Sequence, residues 1–400
     1  MQDKKLLNAS TDRSSGDRHA MLKIAFFGHD AADAAVRRRA KSFSIDGLSV
    51  FGFTMRRTDD QQRSFPNVDL GQTYDGNFLQ RIKQIFRGAR IAAQPENGLA
   101  ETDVIYARNL DMLACAFLAK RHAKLKTKVI YECLDVHRML VRRDPVGMIL
   151  RALERALLKR SAGLVVSSPA FLTHYFERYH NGLYTSALVE NRLTERPSNQ
   201  RTPPVAEPGA PDQKLRIGWV GILRCQRSMD LLCSLADKFG DQIEIKLHGK
   251  PARTEIPVFE PKIECRPNMI YHGPYSAPED LSALYGGLDL VWAGDFMEAG
   301  YNSVWLLPNR IYEGGYFATP SICVAETETA NWVTGKQAGC PVGEPLETEL
   351  PALIERLIAD RTPLDTAQKH LLAEPEDTFI QPKGLLAKIV CEFLDSGGSA

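Results

Sequence analysis

The fold of this chain is constrained most by a pattern that occurs twice, in which short apolar runs alternate with segments at helical spacing. Such alternation predicts βαβ units and therefore a doubly wound parallel sheet. Two series of this kind predict two α/β domains. The predicted strands are residues 22–28, 48–54, 103–106, 128–132 and 163–167 in the first series, and 215–220, 243–248, 269–272, 288–293 and 321–324 in the second.

A Pro-rich segment separates the two series. Residues 193–212 are rich in Pro, Gln, Asn and Ser, with prolines at 197, 203, 204, 208 and 211, which is typical of a linker. We therefore predict an N-terminal domain over 21–192, a linker over 193–213 and a C-terminal domain over 214–378. Residues 1–20 are polar and lack the apolar core of a signal peptide, so we expect them to form a disordered leader.

Composition bears on several classes of function. The chain has 400 residues, which is too long for one ordinary core, and its formal net charge of +1 gives no indication of a nucleic-acid partner. None of the eight cysteines forms a C-x-x-C pair, so neither a zinc site nor a disulfide framework is indicated. Scattered thiols of this kind suit the reducing cytoplasm. No apolar run reaches the roughly 18 residues that a membrane span requires.

Residues 308–322 place a basic residue and a carboxylate on one face of a predicted helix, which an Ala-Thr-Pro turn and an apolar strand follow. Arg310 and Glu313 are three residues apart and therefore share that face. A carboxylate at this position can accept both hydroxyls of a ribose, and we expect Gly314 and Gly315 to permit close approach of the ligand. The alternative is an exposed Arg–Glu pair, which contributes less than about 1 kcal/mol.

A second segment of interest follows the first predicted strand of the second series. Gly221 ends that strand, and Arg224 and Arg227 lie between it and the next predicted helix. A glycine here lets the backbone approach a phosphate, and the helix N-terminus attracts anions. Each arginine can add a charge-assisted hydrogen bond of about 1.5–3 kcal/mol. In the alternative interpretation, both arginines are ordinary surface residues.

Both segments resemble the donor-binding motifs of GT-B glycosyltransferases of the family-4 type. Residues 308–322 resemble the pattern P-N-K-hydrophobic-hydrophobic-E followed by A-x-G-x-P-V-I, and residues 221–232 resemble G-x-L-x-x-x-K-G-hydrophobic-D-L-L, with Arg227 at the usual lysine and Ser228 at the usual glycine. The resemblance implies that these residues bind a nucleotide-sugar donor. The implied donor-binding set is Gly221, Arg224, Arg227, Gly273, Asn309, Arg310 and Glu313.

The same resemblance implies the GT-B fold, in which two Rossmann-like doubly wound parallel-sheet domains face each other across a cleft. In that fold a C-terminal helix, here within residues 379–400, crosses back to the first domain. The chain departs from the family at Trp305, where retaining members carry a glutamate eight residues before the position of Glu313. The loss of that carboxylate favours inverting transfer.

An acceptor-activating base is predicted in the first domain. His29, Asp30 and Asp33 lie on the loop that leaves the first predicted strand, at the sheet edge where open α/β folds bind ligands. His29 or Asp30 is therefore a candidate base, unless Asp30 and Asp33 simply cap the next helix. Asp135 and His137, in a segment that resembles the family's Y-D-x-H-D motif, form a second candidate pair, or else are polar loop residues that hydrogen-bond each other.

Two basic regions complete the set of candidate sites. Residues 33–40 resemble the family's D-x-R-V-R-R-E-A motif, and we interpret Arg37 and Arg38 as acceptor-binding or domain-interface residues. Between Lys120 and Arg160, twelve Lys or Arg residues outnumber four Asp or Glu residues. The predicted amphipathic helix within residues 142–160 is therefore either a contact with the inner face of the membrane or a core-packed helix with a solvated basic face.

No D-x-D motif occurs in the chain. We therefore expect no metal cofactor, and we expect arginines and helix N-termini to stabilise the leaving diphosphate. Residues 23–30, 36–39 and 305–313 further resemble glycosyltransferases of succinoglycan exopolysaccharide synthesis. That resemblance implies transfer of glucose from UDP-glucose to a lipid-linked oligosaccharide. Two alternatives stay open: a GT-B-like sugar-nucleotide epimerase, and a catalytically silent scaffold protein of the assembly machinery.

Overall fold

The computed structural model describes residues 22–57, 64–74, 78–197 and 214–396. The chain divides into two units. Unit 1 comprises Met1–Glu190 with Pro382–Ala400, and unit 2 comprises Asn191–Gln381. The leader predicted over residues 1–20, and residues 198–213 of the predicted linker, lie outside the described residues.

Unit 1 is built on a parallel sheet of seven described strands. These are β1 (Lys23–Gly28), β2 (Ser49–Arg56), β3 (Asn67–Gln72), β4 (Val104–Arg108), β5 (Lys128–Cys133), β6 (Gly163–Val166) and β7 (Ser186–Leu188). Their spatial order is β3-β2-β1-β4-β5-β6-β7. The five strands predicted for this half are β1, β2, β4, β5 and β6, while β3 and β7 were not predicted.

Helices connect these strands. They are α1 (Ala34–Ile45), α2 (Phe78–Ala92), α3 (Asn109–His122), α4 (Arg138–Val141), α5 (Pro145–Leu158), α6 (Pro169–Phe171) and α7 (Glu177–His180). Both α2 and α5 pack against α3. The side chain of Asp144 caps α5 by accepting the Gly147 N–H, and Pro145 occupies the first turn, where its missing N–H costs nothing.

Unit 2 repeats this architecture with a parallel sheet of six described strands. These are β8 (Leu215–Val220), β9 (Ile243–His248), β10 (Met269–Gly273), β11 (Leu290–Trp292), β12 (Ser321–Val324) and β13 (Gly339–Val342). Their order is β10-β9-β8-β11-β12-β13. The helices are α8 (Gln226–Phe239), α9 (Phe259–Glu264), α10 (Leu281–Gly286), α11 (Asn302–Trp305), α12 (Asn309–Tyr316), α13 (Glu328–Gly335), α14 (Leu346–Ala359) and α15 (Thr362–Ala373).

The last helix, α16 (Leu385–Ser396), packs in unit 1. Asp46 caps it, because its carboxylate accepts the N–H groups of Gly384 and Leu386 at 2.7 Å each. Phe393 covers Gly163 so closely that a Cβ on this glycine would lie 2.4 Å from the ring. The glycine at the start of β6 therefore allows α16 to approach the sheet.

The strand order places one ligand-binding position in each sheet. Both orders begin 3-2-1-4, so the direction of winding reverses between β1 and β4 in unit 1, and between β8 and β11 in unit 2. Open parallel sheets bind ligands beyond the carboxyl ends of the strands at this switch point. The loops that follow β1, β4, β8 and β11 are therefore the positions where this fold places ligand-binding residues.

Candidate functional site

Three glycines form a rim at the carboxyl ends of β8, β9 and β10. Gly221, Gly249 and Gly273 have φ angles of +116°, +132° and +82°, which favour glycine. The Gly249 N–H donates to the Gly273 carbonyl at 2.8 Å, and a Cβ on Gly249 would lie 1.7 Å from the Gly221 carbonyl oxygen. A Cβ on Gly221 or Gly273 would instead meet open space. Gly249 is therefore packed against the backbone of Gly221, whereas Gly221 and Gly273 border open space.

At the switch point of unit 2, Arg224 faces a carboxylate that follows β11. Its Nη2 lies 3.6 Å from Oδ2 of Asp295, whose side chain is 8% exposed. The other carboxylate oxygen of Asp295 accepts the Met297 N–H at 3.0 Å and the Ser303 hydroxyl at 2.9 Å. These bonds fix the Asp295 carboxylate, which in turn orients Arg224.

Arg310 lies in the same region, at the second residue of α12. Its Nη1 donates to the Trp292 carbonyl at 3.2 Å, which ties the helix start to the end of β11. Burial lowers the pKa of Arg310, and the nearby charge of Asp295 opposes that shift. Arg224 also acts electrostatically on Arg310, so the two guanidinium groups and Asp295 form one cluster.

Glu313 lies one turn further along α12 and is 1% exposed. It accepts a hydrogen bond of 3.0 Å from the hydroxyl of Tyr285 on α10. The alternative interpretation, an exposed Arg310–Glu313 pair, is therefore wrong, because the Glu313 carboxylate is buried. The expectation that Gly315 permits close approach of the ligand is also wrong. A Cβ on Gly315 would lie 2.5 Å from the Phe379 ring, so a side chain of the protein itself occupies the space beside this glycine.

Arg227 is engaged elsewhere in unit 2. Its guanidinium donates to Glu344 at 2.8 and 2.9 Å and to Glu347 at 3.1 Å, and it lies over the Phe296 ring at 4.7 Å. The hydrogen bond to Glu344 is the main cause that raises the pKa of Arg227. Asn309, the first residue of α12, is half-buried.

At the switch point of unit 1, His29 and Asp33 lie together. Nε2 of His29 is 3.5 Å from Oδ2 of Asp33, and Oδ1 of Asp33 accepts the N–H groups of Ala35 and Val36. Asp33 therefore caps α1, as one of the two interpretations expected. Nδ1 of His29 is buried and has no hydrogen-bond partner among the described residues.

Asp30 is buried, and its side chain accepts the Ala32 N–H at 3.0 Å, which closes the loop before α1 rather than capping the helix. Burial alone raises the pKa of Asp33. The hydrogen bond and charge of His29, the Val36 N–H and the charge of Arg108 outweigh burial, so the pKa falls well below its usual range. Asp33 is therefore ionised beside the His29 ring at neutral pH.

A buried triad lies next to this pair. Arg39 and Arg108 donate to the two oxygens of Glu132 at 2.9 Å each. Burial alone raises the pKa of Glu132, but the two guanidinium groups outweigh it and lower the pKa. Because all three side chains are buried, the triad ties α1 to β4 and β5. Arg37 and Arg38, the two predicted acceptor or interface residues, are half-buried on α1.

The second candidate base pair follows β5. Asp135 and His137 are both exposed, and Nδ1 of His137 accepts the Met139 N–H at 3.3 Å as the N-cap of α4. Partial desolvation and the charges of Arg138 and Arg81 lower the pKa of His137. A neutral His137 with Nδ1 engaged at the helix start is chiefly a capping residue.

Sequence reasoning missed three residues that complete these clusters. Asp295 has no motif spacing to Arg224, Tyr285 is 28 residues from Glu313, and Arg108 ends a strand whose apolar pattern gave no indication of a charge. The position of Asp295 immediately beyond β11 is the one signal in the sequence that could have identified it.

Comparison with solved structures identifies the fold. The chain matches sucrose-phosphate synthase from Thermosynechococcus elongatus with a TM-score of 0.68 and 14% identity, covering 94% of this chain and 98% of that one. It matches Anabaena Alr3699/HepE, solved in complex with UDP, with a TM-score of 0.65 and 15% identity, covering 94% and 100%. It also matches WaaG, a glycosyltransferase involved in lipopolysaccharide biosynthesis, with a TM-score of 0.60, 14% identity and the same coverage. The protein therefore has the GT-B fold of glycosyltransferases, as predicted.

The sequence places it more narrowly. It is 38% identical over 349 residues to the succinoglycan biosynthesis protein ExoL of Rhizobium meliloti (strain 1021). The alignment covers 85% of this chain and 87% of the relative. The chain belongs to the ExoL family and is a glycosyltransferase. No family model matches the chain.

Proposed function

We propose that this protein transfers a hexose, glucose from UDP-glucose, to a lipid-linked oligosaccharide in the assembly of a succinoglycan-type exopolysaccharide. The observation that carries the proposal is the cluster of Arg224, Arg310 and Asp295 beyond the carboxyl ends of β8 and β11, with Glu313 one turn further along α12. Two guanidinium groups suit a diphosphate, and the Glu313 carboxylate suits the hydroxyls of the ribose joined to it. The family relationship to ExoL supports the polysaccharide class.

In this proposal, each part of the donor has its own partner. Arg224 and Arg310 neutralise the diphosphate as it leaves, and the glycine rim at Gly221 and Gly273 lets the backbone approach it. Glu313 accepts the ribose hydroxyls. Its burial strengthens those hydrogen bonds, because the low local dielectric increases their electrostatic energy. Asp295 holds Arg224 before the donor binds, and the diphosphate then displaces this carboxylate from the guanidinium.

The acceptor hydroxyl needs a base, and we assign this role to His29 or Asp30 in unit 1. Asp33, held ionised beside His29, stabilises the protonated imidazole that forms when His29 takes the proton. Trp305 replaces the carboxylate of retaining family members, so we assign inverting transfer. No metal ion takes part in this scheme, because arginines and backbone N–H groups carry the leaving-group charge.

We further propose that the protein works at the inner face of the cytoplasmic membrane, where a lipid-linked acceptor is held. On α5, Met148 and Ile149 are 61% and 67% exposed, and Leu153 is also exposed. These three side chains therefore do not pack into the core, whereas Leu157 and Leu158 of the same helix do. Arg143 and Lys159 are exposed near the two ends of the helix, which suits anionic headgroups. None of the helices in the described residues is long and apolar enough to cross a bilayer.

The buried side of α5 supports this orientation. Glu154 is fully buried and accepts hydrogen bonds from Tyr131 at 2.8 Å and from Tyr175, and its carboxylate lies 2.9 Å from Nε2 of His180. A carboxylate held in this way fixes the rotation of the helix. Leu157 and Leu158 are buried as well, whereas Met148, Ile149 and Leu153 lie in solvent, where they are available to a lipid surface.

Radiolabelled UDP-glucose, incubated with a membrane fraction that contains lipid-linked oligosaccharides, tests the proposal. Wild-type protein should move label into the lipid fraction, and Glu313→Gln should reduce that transfer by about ten-fold or more, the loss of one charge-assisted hydrogen bond. Glu264→Gln, an exposed substitution at the end of α9, is the control. Undiminished transfer by Glu313→Gln would refute the donor site.

The same assay separates the two alternatives. An epimerase would convert UDP-glucose without any lipid acceptor, so labelled product would appear in the soluble fraction alone. A silent scaffold protein would neither transfer label nor prefer UDP over other nucleotides in a binding titration.

A further inference from the structure

Helix α2, like α5, exposes large apolar side chains to solvent. Leu79, Ile82 and Phe86 are 79%, 37% and 50% exposed, and their spacing of three and four residues places them on one face. The buried positions of the helix carry small or polar residues, namely Gln84, Gly88, Ala89 and Ala92, and Ile85 and Ile91 are half-buried. Leu79, Ile82 and Phe86 therefore lie in solvent, which no requirement of the core explains.

The inner face is fixed by specific contacts. Gln84 donates a hydrogen bond to the Leu70 carbonyl of β3. A Cβ on Gly88 would lie 3.1 Å from Leu70 and 3.6 Å from the sulfur of Cys115 on α3. Because Gly88 lets α2 sit this close to β3 and α3, the helix cannot rotate to bury Leu79 and Phe86 without losing these contacts.

The charge of α2 is entirely of one sign. The helix contains Arg81, Lys83, Arg87 and Arg90 and no acidic residue. Arg81 lies 3.7 Å from Asp111 of α3, whereas Lys83, Arg87 and Arg90 are exposed and form no ion pair within the described ranges. At 100° per residue, these three cations lie beside the apolar face rather than opposite it.

We propose that α2 is a second membrane-binding element, which lies on an anionic lipid surface with Leu79, Ile82 and Phe86 among the acyl chains and Lys83, Arg87 and Arg90 at the headgroups. The combination of an apolar face with flanking cations is what such a surface binds. An uncharged protein partner would leave the three cations unpaired. Both α2 and α5 pack against α3 in unit 1.

The inference shares its partner with the membrane contact proposed for α5, but it rests on the side chains of α2 alone. Co-sedimentation of the full chain with phosphatidylglycerol–phosphatidylcholine vesicles, and with phosphatidylcholine vesicles, tests it. We expect wild-type protein to bind the anionic vesicles. Leu79→Asp combined with Phe86→Asp should weaken that binding roughly ten-fold or more, and the triple variant Lys83→Gln, Arg87→Gln, Arg90→Gln should weaken it while reducing its dependence on salt.

Two controls separate this inference from the proposed function. Leu372→Asp, at an exposed position of α15 in unit 2, should leave binding unchanged, and Met148→Asp combined with Ile149→Asp reports on α5. Wild-type affinity in both α2 variants, with binding lost in the α5 variant, would overturn the role of α2 and leave the α5 contact standing. Failure of wild-type protein to bind anionic vesicles would overturn both contacts without touching the donor site. The triple variant keeps the exposed apolar residues. It therefore still tests the inference if the aspartate variant misfolds.

Discussion

The Tyr285 hydroxyl donates a 3.0 Å hydrogen bond to Glu313, and both side chains are buried in unit 2. Burial raises the pKa of Tyr285 well above its ordinary value, and the charge of Glu313 adds to that effect. Tyr285 is therefore a fixed donor over the physiological pH range. It holds in place the carboxylate to which we assign the donor ribose.

Tyr285→Phe should destabilise the fold. The substitution keeps the ring but removes a donor from a buried carboxylate, so we expect a loss of about 1–3 kcal/mol in the free energy of unfolding. Urea denaturation followed by circular dichroism measures it. Tyr301→Phe, at an exposed position, is the matched control. Equal stability of Tyr285→Phe and wild-type protein would show that Glu313 does not depend on this bond.

Asp295→Asn should tighten the binding of UDP. The Asp295 carboxylate lies 3.6 Å from Arg224, and in our proposal a bound diphosphate takes the same guanidinium. Removal of the negative charge ends that competition, while the amide oxygen still accepts from Met297 and Ser303. Because Arg224 is partly exposed, we expect a modest gain of about two- to ten-fold in affinity. Weaker binding, measured by calorimetry, would mean that orientation of Arg224 outweighs competition.

The stability that Asp33 contributes should depend on pH. The pKa of Asp33 in the folded protein is lowered below the value of about 3.9 that an unfolded aspartate has. Its charge therefore stabilises the fold above about pH 4, and that stabilisation is lost as the pH falls further. Asp33→Asn retains a good N-cap residue but should be less stable than wild-type protein at pH 7. The difference should shrink in urea titrations at about pH 3. A difference that is constant with pH would contradict this, and Asp377→Asn, at an exposed position, serves as the control.

Chelation should leave transfer unchanged. In our proposal Arg224 and Arg310 carry the charge of the leaving diphosphate, so EDTA should alter the rate of glucose transfer by less than about two-fold. Loss of activity in EDTA, restored by Mg²⁺, would show instead that a metal ion holds the diphosphate.

The sequence patterns were sufficient for the central strands and insufficient for three edge strands. All ten predicted strands exist, whereas β3, β7 and β13 were missed, and each lies at the edge of its sheet. An edge strand pairs on one side only and is less buried, so its apolar signal is weak. β13 even contains Pro341, which an edge tolerates because a proline need not donate to the ladder.

The site residues that belong to a sequence motif could be predicted, and those that depend on tertiary packing could not. The motif placed Arg310 and Glu313 on one helix, and the structure brings Arg224 to the same cluster. The motif gave no indication that Arg227 would form ion pairs with Glu344 and Glu347, because those residues are more than one hundred positions away along the chain. Contacts of that kind arise from tertiary folding, and helical spacing cannot reveal them.

In our proposal, unit 2 binds a sugar nucleotide through Glu313, Arg224 and Arg310. Calorimetric titration of the full chain with UDP-glucose, for wild-type protein and for Glu313→Gln, tests it most directly. We expect wild-type protein to bind UDP-glucose in preference to ADP-glucose, and Glu313→Gln to bind it about ten- to one-hundred-fold more weakly, with Glu264→Gln unchanged. Equal affinity of Glu313→Gln and wild-type protein for UDP-glucose would contradict the assignment.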